Sequence, residues 1–325
     1  MTRTQLINSL NTVLNQGNQL STVVFAVMKE SFEIKKLNID NNEISTIQEM
    51  FLRSIREKII NVEEQTIIKV SEADNRANTV FHYDLDLPTG LDFYSSPLTD
   101  GIANFSFAND DLGKIDSLII KIGTETNQIK IFKKLSPVEV LGRGGFLLRK
   151  ARTQLERFTE KILNLTPSFN AVFVGDTYIF LDLKLLENSY GFHDVIVREA
   201  NNSVQLIQAL QILTTTEGIV ELLGKTSFAR KVVKIKNSPV ILKQIPNAQI
   251  ITFTQRHPSL ANKMRYSDDG TQIILHTKKS RELFIKMLDD AYLTSELTEQ
   301  YYESSAKDVV EGEEDASNNQ EETQN

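Results

Sequence analysis

The stretch NAVFVGDTYIFLDLKLLE, residues 170–187, decides the fold class. Its β-branched and aromatic residues form two short runs around Gly175 and Asp176, which predicts two strands with a turn between them. Beyond about residue 190 the pattern changes. SVQLIQALQIL (203–213), EGIVELL (217–223), FARKVVKI (228–235) and SPVILKQI (238–245) space apolar residues three and four apart, the period of a helix with one buried face. MRYSDDGTQIILHT (264–277) then predicts a hairpin turning at its DDG, and SRELFIKMLDDAYL (280–293) a final helix.

Upstream of the opening stretch, strands dominate. Leu6, Leu10, Val13 and Leu14 predict a first helix ending before Gly17, followed by strands at STVVFAVM (21–28) and FEIKKLNI (32–39). Ile47, Met50, Phe51, Ile55 and Ile59 make a helical stripe to about residue 61, with Ser45 as its expected N-cap. VFHYDLDL (80–87) alternates as a strand, a long irregular loop follows, and IDSLIIKIG (115–123) with QIKIFKKL (128–135) forms a hairpin around TETN. The expected architecture is α+β. A strand-rich domain of residues 1–190 precedes a helix-rich, basic domain of residues 191–302 that carries a hairpin, and residues 303–325 form an acidic tail too polar to order itself.

The chain has 325 residues, 40% of them hydrophobic, enough for a sizeable core. It has no cysteine, which excludes disulfides, thiolate catalysis and cysteine-ligated zinc and suits a cytoplasmic protein. There is no run of about 18 uncharged apolar residues, and MTRTQLINSLNTVLNQG lacks the pattern of a secretory signal, so any membrane role is expected to come through a partner.

The net charge of -7 hides a strong asymmetry. Residues 303–325 alone carry -7, residues 1–120 another -7, residues 121–161 carry +6 and residues 225–286 carry +10. Helices followed by a basic hairpin have the outline of a winged helix, and a face of this charge releases counterions from a phosphate backbone. The alternative is a solvated surface, or one paired with the acidic segments. Few aromatic residues interleave the cations, which favours sequence-tolerant duplex binding over single-strand readout.

Other motifs carry less. GKT at 224–226 lacks the first glycine of a phosphate loop, since that position is Ile219, and Gly224 reads better as a helix C-cap. GRGG (142–145) either presents backbone N–H groups and Arg143 to a phosphate or is a simple glycine turn. His82, Asp84 and Asp86 share one face if residues 80–87 are a strand, yet Phe81, Tyr83, Leu85 and Leu87 opposite explain the pattern as amphipathic. Asp182-x-Lys184 is half of a Mg²⁺-dependent nuclease site and keeps that chemistry as an alternative, with no partner acid evident. No metal, cofactor or catalytic residue is assigned. In LDDAYLTSELT (288–298), Asp289 and Asp290 are expected at the end of the last helix. Tyr292, Leu293 and Leu297 are expected to anchor the chain end, and Thr294 or Ser295 to cap a short terminal helix.

The closing run from Lys286 through LDDAYLTSELT to Tyr301, with NAVFVGDTYIFLDLKLLE about 110 residues earlier, resembles the KwaB family, the soluble subunit of the two-gene Kiwa anti-phage defence system. The likeness runs over most of residues 1–307 and is strongest from about residue 155. It implies a prokaryotic defence protein that engages incoming DNA and blocks phage replication and late transcription. It also implies a small membrane partner, KwaA, that senses disturbance of the membrane and recruits the chain to its inner face. The family has no catalytic motif to carry over, and the acidic tail departs from its pattern. The expectation is a homo-oligomeric effector that binds double-stranded DNA without strong sequence preference. Its phosphate contacts are expected from Lys225, Arg230, Lys231, Lys234, Lys236, Lys243, Lys263, Arg265, Lys278, Lys279 and Arg281, extended by Arg143, Arg149, Lys150 and Arg152.

Overall fold

The computed structural model describes residues 1–304 apart from 75, 100, 137–138, 142–146, 152–153 and 159–160. It forms two compact units, Met1–Ala73 with Asn78–Glu199, and Asp74–Ala77 with the chain from Ala200 onward.

The first unit begins with α1 (Arg3–Leu14), started by a capping box between Thr2 and Gln5 and burying Leu6, Leu10, Val13 and Leu14. β1 (Ser21–Met28) and β2 (Ile34–Lys36) follow, then α2 (Asn41–Ile55), which continues as a π-helical turn at Arg56–Ile60. Asp40, not Ser45, caps α2: its carboxylate accepts from the Asn42 N–H at 2.9 Å. Ser45 lies inside the helix and donates back to the Asn41 carbonyl, because the helix starts six residues before the apolar stripe does at Ile47.

Next come β3 (Thr66–Lys69), β4 (Thr79–His82), the short α3 (Asp92–Ser95), β5 (Ile115–Gly123), β6 (Gln128–Lys134), β7 (Val140–Leu141), β8 (Leu147–Ala151), β9 (Gln154–Phe158), β10 (Ile162–Leu163), β11 (Ala171–Val174) and β12 (Thr177–Phe180). Eight of these make one sheet in the order β2-β1-β5-β6-β11-β12-β4-β3, while β7 pairs with β10 and β8 with β9. The β5–β6 and β11–β12 hairpins sit at its centre. Gly175 and Asp176 both take positive φ in the second of these turns, as a two-residue hairpin turn requires. β5 is buried on both faces over Leu118–Ile120, which reads as a short continuous apolar run. Leu10, Phe51, Ile55, Ile120, Ile131, Val172 and Ile179 join helix and sheet residues in one core.

β4 is shorter than its alternation suggests. Past His82 the carboxylate of Asp84 turns to accept from the Ser71 N–H at 3.0 Å and its hydroxyl at 2.5 Å, and Tyr83 Oη donates to the Asp86 carbonyl at 2.6 Å. Local side-chain hydrogen bonds have displaced the ladder. FEIKKLNI likewise contributes only the three residues of β2.

After α4 (Lys184–Asn188), the chain passes from one unit to the other inside α5 (Phe192–Ala209). The second unit holds α6 (Glu217–Leu222), α7 (Thr226–Lys234), α8 (Pro239–Leu242), α9 (Asn247–Arg256), the pair β13 (Arg265–Tyr266) and β14 (Ile273–Ile274), α10 (Lys278–Leu288), and the pair β15 (Tyr292–Thr294) and β16 (Tyr301–Glu303). α8 is four residues long, begun by Pro239 and the Ser238 cap, and Gln244 just beyond it takes a left-handed conformation. The chain end is a hairpin and not a short helix. Asp290 turns left-handed after α10, the Ser295 N–H donates to the Gln300 carbonyl at 2.9 Å, and Leu297 stands 93% exposed at the tip. Tyr292 is buried as expected.

The architecture is α+β, with the large sheet in the N-terminal part and helices in the C-terminal part. No helix among the described residues is long and apolar enough to cross a membrane.

Candidate nucleic-acid interface

α7 and α10 define the basic face of the second unit. α7 buries Phe228, Ala229, Val232 and Val233, and α10 buries Leu283, Phe284, Ile285, Met287 and Leu288, so each helix keeps its remaining face for polar side chains. Two contacts fix their direction. Lys234 at the end of α7 lies 3.2 Å from Asp289, the C-cap of α10, while Arg281 at the start of α10 lies 3.2 Å from Glu221, a few residues before α7. Both helices therefore begin at the same end. That end carries Lys225 as the N-cap of α7 and Lys278 and Lys279 in the first turn of α10, and neither first turn has an acidic residue. Cations at a helix start oppose the macrodipole and weaken the helix slightly, but they add to the positive potential seen by an anion.

The two helices do not keep all their cations free. Lys278 pairs with Glu282 at 3.6 Å, Arg281 with Glu221, Lys234 with Asp289, and Lys286 with Glu303. Lys234 also faces Asp74. Burial would raise the Asp74 carboxyl, but hydrogen bonds from Arg76 and the charges of Arg76 and Lys234 hold it below the usual carboxylate range. Arg230 and Lys236 are half-buried, the latter in the tight turn Ile235–Asn237. Lys225, Lys231 and Lys279 are exposed and make no ion pair among the described residues, as do Lys243 at the C-cap of α8, Arg256 at the end of α9, Lys263, and Arg265 on β13. Arg256 belongs to α9, the helix that the sequence pattern passes over. Its signal was present in Pro246 at the N-cap and in Ile250, Ile251 and Thr254 one turn apart.

Arg143 and Arg152, with the GRGG stretch, lie outside the described residues. Arg149 and Lys150 fall on the backbone of β8 in the first unit. The acidic tail from residue 305 also lies outside the described residues.

The competing motifs take structural roles. Asp182 Oδ1 accepts from the Lys184 N–H at 2.9 Å, a local turn just ahead of α4, whose N-cap is Leu183. Asp84 is held by Ser71, and Asp86 pairs with Arg198 at 2.7 Å, so the three residues of the HYDLD pattern do not converge on one point. Among the described residues no three His, Cys, Asp or Glu side chains gather as metal ligands would. GKT links α6 to α7 with no strand before it.

An eight-stranded sheet unit followed by a helix-rich unit with many basic side chains defines a two-unit α+β protein. The chain belongs to the Kiwa protein KwaB-like family, whose model matches residues 112–298. It is also similar to the Kiwa protein KwaB of Escherichia coli O55:H7 (strain RM12579 / EPEC), with 27% identity over 321 residues that cover 96% of this chain and 100% of that one. Membership makes it a component of the Kiwa anti-phage defence system. No solved structure matches the chain.

Proposed function

We propose that the chain is the DNA-engaging effector of its defence system, binding duplex DNA through phosphates without strong sequence preference and so blocking phage replication or transcription. The observation that carries this reading is the set of exposed cations without ion pairs among the described residues, Lys225, Lys231 and Lys279 on the α7–α10 face with Lys243, Lys263 and Arg265 beyond it. Point charges on flexible stems suit phosphate contacts, which position a duplex and carry no sequence information. The chain acts with a KwaA-like membrane protein that recruits it to the inner face of the membrane, and works as a homo-oligomer.

Gel shifts with two unrelated 30-base-pair duplexes test the reading. Affinities within about threefold of each other are expected. Retention of one sequence and not the other, or of neither, would contradict it. Incubating the same duplexes with Mg²⁺ examines the nuclease alternative, for which cleavage lost in Asp182→Ala is the required result.

A further inference from the structure

The aromatic residues that seem scattered along the sequence converge at one place in the second unit. His257, just after α9, has its ring 5.2 Å from Phe253, 4.9 Å from Tyr292 and 4.9 Å from Tyr301, which meets it edge-on. Beside this cluster opens a cavity of about 580 Å³, within the ordinary range for small-ligand sites, and its walls include Phe253, His257, Thr252, Thr294 and Tyr301 with Arg256 at the rim. Tyr301 is 53% exposed although it packs against a buried ring.

Unused donors lie in the wall of the site, at His257, and just behind it, at Tyr292. His257 is 2% exposed and its Nδ1 accepts from the Ser259 N–H at 3.3 Å, which leaves the imidazole proton on Nε2. Burial holds the ring below its usual pKa against the pull of Glu303, so it is neutral at pH 7. Nε2 and the hydroxyl of Tyr292, itself 4% exposed, are both buried without a hydrogen-bond partner among the described residues. Each buried polar atom without a partner calls for an explanation, and a bound ligand supplies one.

We propose that this cavity holds one unstacked nucleotide, its base against Tyr301 and Phe253 and its phosphate on Arg256. A base that takes over the edge contact of Tyr301 with His257 meets the unused His257 Nε2–H with its acceptor edge. A nucleotide fits better than a peptide side chain because the lining holds aromatic rings, neutral polar groups and one arginine but no carboxylate. This deepens the duplex-binding reading and rests on it only for the source of the nucleotide, a strand end.

The fluorescent base 2-aminopurine tests it in three settings with the full chain: free as a nucleoside monophosphate, in a four-nucleotide 3′ overhang on a 20-base-pair duplex, and paired within the blunt duplex. The overhang is expected to bind roughly tenfold more tightly than the blunt duplex and to be quenched. The free nucleotide is expected to be quenched at higher concentration, and the paired base not at all. Tyr301→Ala should abolish quenching and the overhang preference while blunt-duplex affinity stays within about twofold, and Tyr301→Phe should restore both. Equal affinity for overhang and blunt ends without quenching, or a Tyr301→Phe variant no better than Tyr301→Ala, would overturn the site. Quenching of the free nucleotide by a chain that does not retain blunt duplex would sink the duplex reading and leave the site standing.

Discussion

Two sets of lysines, one in each unit of this protein, lead opposite lives. In the first unit Lys133 is 1% exposed and donates to Glu139 at 2.6 Å, to Thr166 Oγ at 2.9 Å and to the carbonyl and hydroxyl of Ser168. Nearby, Lys130 is 7% exposed, donates to the Tyr94 carbonyl at 2.9 Å and lies 4.4 Å over the Phe173 ring, and burial first and then Lys121 push its pKa down. Lys134 is taken up by Asp116 and Lys161 by Asp111. Four of the cations counted over residues 121–161 are therefore spent inside the unit. In the second unit Lys225, Lys231 and Lys279 stand in solvent without such partners among the described residues. A charge sum along the sequence counts both kinds alike, and only the pairing separates structural cations from those that can meet a ligand.

The widest break between the two kinds is expected at Lys133. Lys133→Met leaves Glu139 buried without its cation and is expected to cost about 3 to 5 kcal/mol in urea unfolding, with no effect on DNA affinity beyond loss of folded protein. The same pair sets a pH window. Burial alone would raise Glu139, but Lys133, Thr166 and Ser136 donate to it and hold it down at about 2. A folded-state value below the unfolded one contributes stability above pH 4.5 that is lost as pH falls toward 2, and Glu139→Gln should flatten that part of the stability curve.

Charge reversal of both Lys231 and Lys279 comes next, with an expected loss of roughly tenfold or more in duplex affinity at physiological salt, equal for all sequences, and melting unchanged. Lys234 sharpens the contrast within one helix. It sits three residues from Lys231 but is shared between Asp289 and Asp74, so Lys234→Ala should lower stability by about 0.5 to 1 kcal/mol, read by denaturant midpoint, and change DNA affinity little.

Much of the fold could be read before any coordinates. The central hairpins were legible because β5, β6, β11 and β12 are rich in β-branched and aromatic residues around clear turns, and α1, α7 and α10 because their apolar residues keep a strict helical spacing. Errors arose where one aspartate redirects the backbone. Asp40 moved the start of α2, Asp84 cut β4 short, and the left-handed Asp290 turned the chain end into a hairpin. Of the candidate interface, the residues carrying charge were legible but not their pairing. Lys234 with Asp289, and Arg281 with Glu221, join residues more than fifty positions apart, and the gathering of Phe253, His257, Tyr292 and Tyr301 depends on the same long-range packing.

The most direct test of this account is the slope of log affinity against log salt for one duplex, measured for the wild type, Lys231→Ala and Lys134→Ala. Each phosphate contact contributes about 0.9 to that slope, so Lys231→Ala should reduce its magnitude by about one and Lys134→Ala should leave it unchanged. A shallow wild-type slope, or equal changes in the two variants, would contradict the division between spent and unspent cations.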